Sequence, residues 1–236
     1  MLIAEIGQNF QGDLQLALEM IIQAHKNGAD LVKFQLYDSK KLYGEYQNTE
    51  LTFQDAHFLF NAGAYEGIEV FFSVFDTERV KWCEEIGVKR YKIAYRCWSE
   101  ELLKAIEATD KSCFLSFDYY DIIDTKSPVW AYYGFRHNYR SGRWKTLYCP
   151  SGYPQEIDAD NLFINIKFSG ISDHTIGLSF AKRALEISAK SPKYPCDIIE
   201  KHFAIDHKTG VDAEWSMTPE ELKELKRFEL ACGDAL

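Results

Sequence analysis

The side chains that could do chemistry in this chain are charged and polar residues that interrupt its apolar runs. These are Glu5, Lys33, Gln35, Ser73, Asp76, Lys92, Ser116, Ser151, Tyr153, Ser172, Asp173, His174, Glu200, Lys201 and His202. Carboxyl groups can move protons, and imidazole rings can bind a metal ion. A charge inside an apolar strand is costly unless it is paired or has a function. The set therefore indicates either an active site or a group of buried ion pairs.

Two histidines are placed where they could share one metal ion. His174 and His202 stand at the ends of what should be neighbouring strands, so both imidazoles could face the same cation. A single histidine is more often a core or surface residue than a ligand, and spacing alone leaves both interpretations open. The other histidines lie on predicted helices or loops and are interpreted as structural or solvated; they are His25, His57, His137 and His207.

Eight apolar, β-prone runs position these residues, and they alternate with stretches of helical period. The predicted strands are 2–6, 30–35, 69–73, 90–94, 113–116, 146–149, 167–171 and 197–203. This alternation is typical of parallel strands joined by crossover helices, and eight strands predict a closed (β/α)8 TIM barrel. We expect one domain, 1–236, with its site at the carboxyl ends of the strands.

The first helix is predicted from its end signals. Asp13 can cap its amino end, and Gly28 can terminate it. Its predicted inward stripe is Leu14, Leu18, Ile21 and Ile22. The segment from Asp118 to Trp144 has turn residues and many aromatics without a helical stripe, so the crossover there should be short or irregular.

The last helix carries a capping box. Thr218 and Glu221 have the spacing of reciprocal capping residues, and Pro219 suits the first helical position. The apolar residues that follow are Leu222, Leu225 and Phe228. We expect this helix to pack on the outside of the barrel.

The charge balance limits the classes of partner. The net charge is -9 and the pI is about 5.2, which disfavours binding to the phosphates of nucleic acids. One local exception is the segment 131–145, where basic and aromatic residues alternate and could stack on single-stranded nucleic acid. Against the acidic background we expect a loop or subunit contact there, and no nucleic-acid partner.

The amino-terminal residues and the cysteines suggest a cytoplasmic protein. The string MLIAEIGQNF has neither a basic leader nor a long apolar run, so we expect no signal peptide and no membrane partner. The 6 cysteines are scattered without a CxxC pair, which argues against a zinc ribbon, a redox motif or a disulfide framework. We expect reduced thiols.

Several strings together resemble one enzyme family. They are AEIGQNFQGD, VKFQ, YKIA, SGYP, SDHTIG, IEKHF and TGVDAEWSMTPEEL. In order, and each on its expected strand or loop, they are similar to the catalytic barrel of the N-acetylneuraminate (sialic acid) synthase family. The resemblance runs from residue 2 to about residue 225. Its members condense phosphoenolpyruvate with the open-chain aldehyde of an N-acylated hexosamine, using a divalent ion.

The resemblance implies a role for each candidate residue. His174 and His202 would bind the ion, with manganese as first choice and magnesium as the alternative. The implied catalytic residues are Glu5, Lys33, Glu200 and Asp212, and the implied substrate-binding residues are Gln35, Lys92, Ser116, Ser151, Tyr153, Ser172 and Lys201. A Lewis acid would activate the aldehyde, while lysines and hydroxyls would bind the anionic donor. The implied partners are a small sugar and that donor, with a homodimer as an open alternative.

Some positions depart from the family pattern. They are Phe10 for the histidine of NHxG, Val74, Tyr95, Arg96 and Cys97 after the third and fourth strands, Phe117 and Asp118 after the fifth, Ser151 after the sixth, and Ala213. Most of them are expected around the phosphoenolpyruvate pocket. Because Lys92 is kept, we expect an electropositive but remodelled pocket that binds this donor weakly unless Arg96 compensates.

The resemblance covers the catalytic barrel, and we expect the chain to lack the antifreeze-like domain that follows the barrel in the family. We therefore expect a more open acceptor site, with the aromatic segment 118–144 as a substitute lid.

Two other functions stay open from the sequence. One is a different metal-dependent aldol, lyase or isomerase reaction on the same barrel. The other is a binding or assembly protein that keeps the metal site, since one barrel fold hosts many activities.

Overall fold

The structure is a computed structural model, and it describes residues 1–95, 97–118, 142–150, 152, 154, 168–190 and 196–234. Eight parallel strands close into a barrel in chain order, with the last strand paired to the first. The strands are β1 Leu2–Gly7, β2 Leu31–Leu36, β3 Glu69–Val74, β4 Arg90–Ile93, β5 Ser112–Phe117, β6 Trp144–Tyr148, β7 Gly170–Asp173 and β8 Ile198–His202. The predicted (β/α)8 TIM barrel is confirmed.

Helices cover the outside of the barrel. They are α1 Leu14–Lys26, α2 Ser39–Tyr43, α3 Phe53–Glu66, α4 Thr77–Ile86, α5 Glu100–Ala108, α6 Ser179–Lys190 and α7 Pro219–Asp234, with a 3₁₀ turn at Ala213–Trp215. The capping box before α7 is confirmed, because the Glu221 backbone N–H donates to Thr218 Oγ1 at 3.3 Å and Thr218 N–H donates to Glu221 Oε2 at 2.8 Å.

The first helix has the predicted ends but a different buried face. Asp13 Oδ1 accepts hydrogen bonds from the backbone N–H groups of Gln15 and Leu16, and Gly28 follows the helix with φ +99°. The buried residues are Ala17, Met20, Ile21 and Ala24. Of the predicted stripe, Ile21 is buried and Leu14 packs partly buried against the core, whereas the prediction was wrong for Leu18 and Ile22.

The strand register brings the polar residues to one level of the barrel. Glu5 lies opposite Lys33 on β2 and opposite His202 on β8. The same alignment continues around the barrel, where Ser73 faces Lys92 and Ser172 faces Glu200. The seventh strand, predicted at 167–171, is Gly170–Asp173, so Ser172 and Asp173 lie within it and face opposite sides.

The core has two parts. A small cluster fills the barrel interior below the polar level; it consists of Ile3, Leu31, Phe71, Phe114, Leu147 and Ile198. A larger cluster lies between the strands and the helices and contains Phe34, Val70, Leu115 and Leu222. The polar level therefore rests on an apolar floor, which is the usual packed interior of such a barrel.

Several expectations fall on residues outside the described ranges: those for Ser151, Tyr153, Arg96, His137 and most of the segment 118–144. Among the residues that the structure does describe, no helix is both long and apolar enough to cross a membrane.

Candidate active site

A ring of buried side chains occupies the barrel interior above its apolar floor. Each strand, or the residue directly after it, contributes one side chain: Glu5, Lys33, Ser73, Lys92, Ser116, Cys149, Ser172 and Glu200. Side chains alternate between the two faces of a strand, and most neighbours of these residues belong to the outer hydrophobic cluster. We call this set the polar ring.

Two lysines and two glutamates form a continuous chain of charges across the polar ring. Lys33 Nζ lies 2.5 Å from Glu5 Oε2 and 3.7 Å from Glu200 Oε2, and it donates to Ser73 Oγ at 2.8 Å. Glu200 Oε1 accepts from Lys92 Nζ and from Ser172 Oγ, each at 2.8 Å. The polar ring contains equal numbers of lysines and glutamates, and each of them has an oppositely charged partner. The residues that could act in catalysis are therefore also the ones that form the buried ion pairs.

The environment moves the pKa values of the two glutamates in opposite directions. Burial raises the pKa of Glu5, against the opposing attraction of Lys33. Burial also disfavours the charged form of Glu200, but Lys33 and Lys92 outweigh it and lower the pKa of that carboxyl. Burial disfavours the charged form of Lys92, but the negative charge of Glu200 outweighs this effect and raises the pKa of the lysine. The site thus separates two carboxyl groups by environment, as acid and base pairs in enzymes often do.

The two histidines lie together above the polar ring. The ring centroids of His174 and His202 are 5.3 Å apart, with an angle of 44° between the planes. Burial lowers the pKa of His174 to about 3, and burial together with the neighbouring His174 lowers the pKa of His202 well below its ordinary value. Both imidazoles are therefore neutral near pH 7, which is the form that binds metal ions.

Asp212 and Gln35 complete the upper level. Asp212 Oδ2 lies 3.5 Å from His202 Nδ1, and Gln35 Nε2 donates to Glu5 Oε1 at 2.9 Å. Burial raises the pKa of Asp212 to about 6, and the negative charge of Glu5 adds to the effect. Asp212 can therefore exchange a proton close to neutral pH.

The histidine pair is suited to hold part of a metal shell. His202 Nδ1 is buried and has no hydrogen-bond partner within the described ranges, which leaves this nitrogen available as a ligand. In the same ranges, no group of three or more histidine, cysteine, aspartate and glutamate residues is arranged to hold an ion. The residues thus fit a two-histidine site whose remaining ligands would be water or substrate.

A cleft of about 370 Å³ opens above this level. It is lined by Gln8, Gln35, Tyr43, Phe75, Ala94, Tyr95, Cys97, His202, Val211, Asp212 and Trp215. Four aromatic side chains stand among polar groups there, an arrangement that suits a sugar, whose ring has both apolar faces and hydroxyl edges. The cleft reaches the reactive groups through His202 and Asp212.

One implied substrate-binding residue lies elsewhere. Lys201 is on the opposite face of β8, where Nζ donates to Asp173 Oδ2 at 3.1 Å and to the Thr175 carbonyl at 2.6 Å. Its neighbours Glu200 and His202 face the interior, and adjacent strand residues point to opposite sides. The structure thus separates Lys201 from the other candidates, and its ion pair with Asp173 joins the ends of β7 and β8.

The departures from the family pattern are not gathered at one pocket as expected. Val74 and Phe117 face the outer hydrophobic cluster, and Phe10 packs there against Phe34 with ring centroids 5.9 Å apart. Tyr95 and Cys97 instead line the cleft beside His202. The substitutions at Val74 and Phe117 therefore do not remove a side chain from the polar ring.

Sequence reasoning missed two buried polar residues at the site. Cys149 is in the polar ring, where its Sγ lies 3.9 Å from His174 Nδ1. Asn9 is fully buried in the turn after β1. The signal available for Asn9 is its place in the polar string that follows the first strand. No signal distinguishes Cys149 from the other cysteines.

Known proteins resemble this chain over nearly its whole length. The sequence matches the NeuB family over residues 20–233. It is 33% identical to the N,N'-diacetyllegionaminic acid synthase of Legionella pneumophila, over 95% of this chain and 69% of that protein. It is 27% identical to the pseudaminic acid synthase of Campylobacter jejuni, over 99% of this chain and 75% of the other.

A solved structure agrees with these matches. The crystal structure of the N-acetylneuraminic acid synthetase of Leptospira borgpetersenii, in complex with citrate, superimposes with a TM-score of 0.83 at 27% identity, covering 99% of this chain and 84% of that one. The barrel, its buried polar interior and these similarities lead to one conclusion. The chain belongs to the NeuB family and is an enzyme of the sialic acid synthase type, which forms carbon–carbon bonds.

Proposed function

We propose that the enzyme condenses phosphoenolpyruvate with the open-chain aldehyde of an N-acylated sugar, with the help of a divalent metal ion. One water would be consumed, and the products would be a 2-keto-3-deoxy sugar acid and inorganic phosphate. The observation that carries the proposal is the polar ring, which holds two lysines and two glutamates beneath a pair of neutral histidines. Relatives named N,N'-diacetyllegionaminic acid synthase and pseudaminic acid synthase support the same reaction class.

The donor would bind at the polar ring on the side of β4 and β5. Lys92 is buried and its raised pKa keeps it protonated, so it offers a permanent positive charge to an anion. Ser116 Oγ is buried and, within the described residues, has no hydrogen-bond partner. A buried hydroxyl without a partner is unfavourable unless a ligand satisfies it. We assign Lys92, Ser116 and Ser172 to donor binding on these grounds.

The acceptor would occupy the cleft next to His202 and Asp212. Manganese, or magnesium as the alternative, would be held by His174 and His202, and it would supply Lewis-acid activation of the aldehyde oxygen. Glu5 has a raised pKa and can hold a proton for delivery to a developing oxyanion. Asp212, with a pKa of about 6, can serve as the second proton-exchanging group, and Lys33 keeps Glu5 in place.

Ligand binding to the metal-free and manganese-loaded enzyme tests this proposal. A ligand that binds only the folded state raises its melting temperature. Phosphoenolpyruvate, pyruvate and N-acylhexosamines are offered separately and together, and release of inorganic phosphate and formation of a 2-keto acid are measured. We expect phosphate release only when phosphoenolpyruvate and an N-acyl sugar are both present. If no pair of these ligands yields a 2-keto acid, the proposed reaction is wrong.

A matched pair of serine variants on β5 tests the donor site. Ser116→Ala removes a hydroxyl from the polar ring, whereas Ser112→Ala removes one from the amino end of the same strand. Losing one hydrogen bond to a charged ligand costs about 1.5–3 kcal/mol, so Ser116→Ala should raise the Kd for phosphoenolpyruvate by roughly 10- to 150-fold. Ser112→Ala should leave it unchanged. Equal Kd values for both variants and the wild type would remove Ser116 from the donor site.

A further inference from the structure

We infer that Asn9 is a positioning residue that fixes the backbone of Asp212 and so places the Asp212 carboxylate beside His202. The inference rests on the proposed function in assigning Asp212 a role in the reaction. Asn9 lies in the turn after β1 and is fully buried, while Asp212 belongs to the segment that follows β8. Their contact joins the two ends of the chain at the mouth of the barrel.

One side chain holds both backbone groups of Asp212. The Asp212 N–H donates to Asn9 Oδ1 at 2.9 Å. Asn9 Nδ2 donates to Ser216 Oγ at 2.9 Å, and Ser216 Oγ in turn donates to the Asp212 carbonyl at 2.7 Å. Asn9 Nδ2 also donates to the Phe203 carbonyl at 3.0 Å, which ties down the start of the same segment. These partners use both amide hydrogens and the amide oxygen of Asn9, and they fix its orientation.

The segment is shaped to lie directly on Asn9. Gly210 has φ +120°, and a Cβ atom at this position would lie 2.4 Å from Asn9 Oδ1 and 2.7 Å from Asn9 Cα. Only glycine allows such an approach together with this backbone conformation. The contact shows that the segment is built against the asparagine side chain.

The carboxylate of Asp212 depends on this backbone anchor. Its Oδ2 lies 3.5 Å from His202 Nδ1, but within the described ranges no hydrogen bond holds the carboxylate itself. On the far side of the segment, Met217 N–H donates to the His202 carbonyl at 2.7 Å. The distance between Asp212 and His202 is therefore set by the backbone path, and Asn9 is the side chain that fixes that path at Asp212.

The resonances of the His202 ring report this distance without metal or substrate. We expect Asp212→Asn, Asn9→Ala and Ser216→Ala each to shift the ring carbon and proton resonances of His202, which are assigned with His202→Gln. Asn48→Ala is the matched control. Asn48 Nδ2 donates at 2.9 Å to the carbonyl of Gln11, which lies in the same turn as Asn9, but Asn48 does not contact Asp212. If Asp212→Asn moves these resonances while Asn9→Ala and Ser216→Ala leave them as in the wild type, the inference is overturned. Should Asn9→Ala fail to fold, Ser216→Ala decides alone.

A double-mutant cycle on turnover then separates positioning from general structural support. A displacement of about 1 Å at a reacting group can lower kcat about 100-fold, so we expect Asn9→Ala to lower kcat by roughly 10- to 100-fold, with the KM for phosphoenolpyruvate unchanged. In the Asp212→Asn background the same change should have little further effect. Additive effects on kcat would contradict the inference. A wild-type enzyme without condensation activity would count against the proposed function instead, and the histidine resonances would still decide the role of Asn9.

Discussion

At the level of single residues, the histidine pair has the most direct chemical consequence. His174 and His202 are buried and neutral, and their rings are adjacent. Such rings bind manganese, iron or zinc better than calcium, which prefers oxygen ligands. The core of the barrel does not depend on these two side chains, since they stand above the apolar floor.

We therefore expect His174→Ala with His202→Ala to abolish manganese binding and leave the fold intact. Calorimetric titration with manganese measures the first effect, and far-UV circular dichroism measures the second. His207→Ala is the control, because His207 lies outside the barrel, 3.3 Å from Glu221. Unchanged manganese affinity in the double variant would show that the ion binds elsewhere.

Two glycines with unusual backbone angles give a second prediction for single residues. Gly210 and Gly177 both have positive φ, at +120° and +73°, but only Gly210 has atoms within 4 Å of the place where a Cβ would stand. Gly177→Ala should cost only backbone strain, about 1–2 kcal/mol of unfolding free energy. Gly210→Ala should cost more, because it also displaces Asn9, and it should lower turnover. Urea denaturation of both variants checks this order, and equal losses would contradict it.

At the level of elements, the ends of β7 and β8 are joined by an ion pair on the outer side of the sheet. Lys201 and Asp173 are each buried, and Asp173 Oδ1 also accepts from the backbone and hydroxyl of Thr175. Asp173 directly precedes His174 in the sequence, and Lys201 directly precedes His202. This outer pair therefore fixes the strand ends that carry His174 and His202.

Breaking that pair should destabilise the barrel strongly. Lys201→Met leaves Asp173 buried without its counter-charge, which costs about 3–5 kcal/mol of unfolding free energy. The control is Lys182→Met, which breaks the more exposed pair with Glu224 and should cost about 1 kcal/mol or less. Guanidinium denaturation compares the two. A loss below about 1 kcal/mol in Lys201→Met would mean that the pair contributes little.

The elements also show what the sequence could and could not predict. Apolar runs located all eight strands, because strands buried on both faces are almost wholly apolar. For the same reason the runs do not reveal which residues face inward. The sequence alone therefore groups Lys201 with Glu200 and His202, and it assigns Val74 to the pocket. In α1 the alanines that face the barrel carry a weak hydrophobic signal, so the predicted stripe includes Leu18 and Ile22 in their place. The contact between Asn9 and Asp212 could not be predicted, because the two residues lie about two hundred positions apart in the sequence.

At the level of the whole molecule, the buried histidines make stability depend on pH. Their pKa values are lowered in the folded state, to about 3 for His174, whereas an unfolded histidine has a pKa of about 6.5. Below about pH 6.5 the unfolded chain therefore binds protons that the folded chain excludes. Each histidine then removes up to about 1.4 kcal/mol of stability per pH unit.

Denaturant unfolding of metal-free protein between pH 7 and pH 5 measures this effect. Asp212 acts in the opposite direction, since its raised pKa makes the folded state bind a proton first on acidification. The comparison is therefore between the wild type and His174→Ala with His202→Ala at each pH. We expect the wild type to lose about 2 kcal/mol more per histidine than the variant at pH 5. Parallel curves would show that the imidazoles are protonated in the folded state.

The equal numbers of lysines and glutamates in the polar ring have a consequence for the order of events. While both glutamates are ionised, the interior has no excess positive charge and gives a multiply charged anion little net attraction, so the anion gains most when a divalent cation accompanies it. Cation and donor should then favour each other's binding. Thermodynamic linkage requires that the factor by which manganese raises donor affinity equals the factor by which the donor raises manganese affinity. The fraction of enzyme with both ligands bound would thus rise steeply only when manganese and the donor are both abundant. The enzyme would then respond to the product of the manganese and donor concentrations.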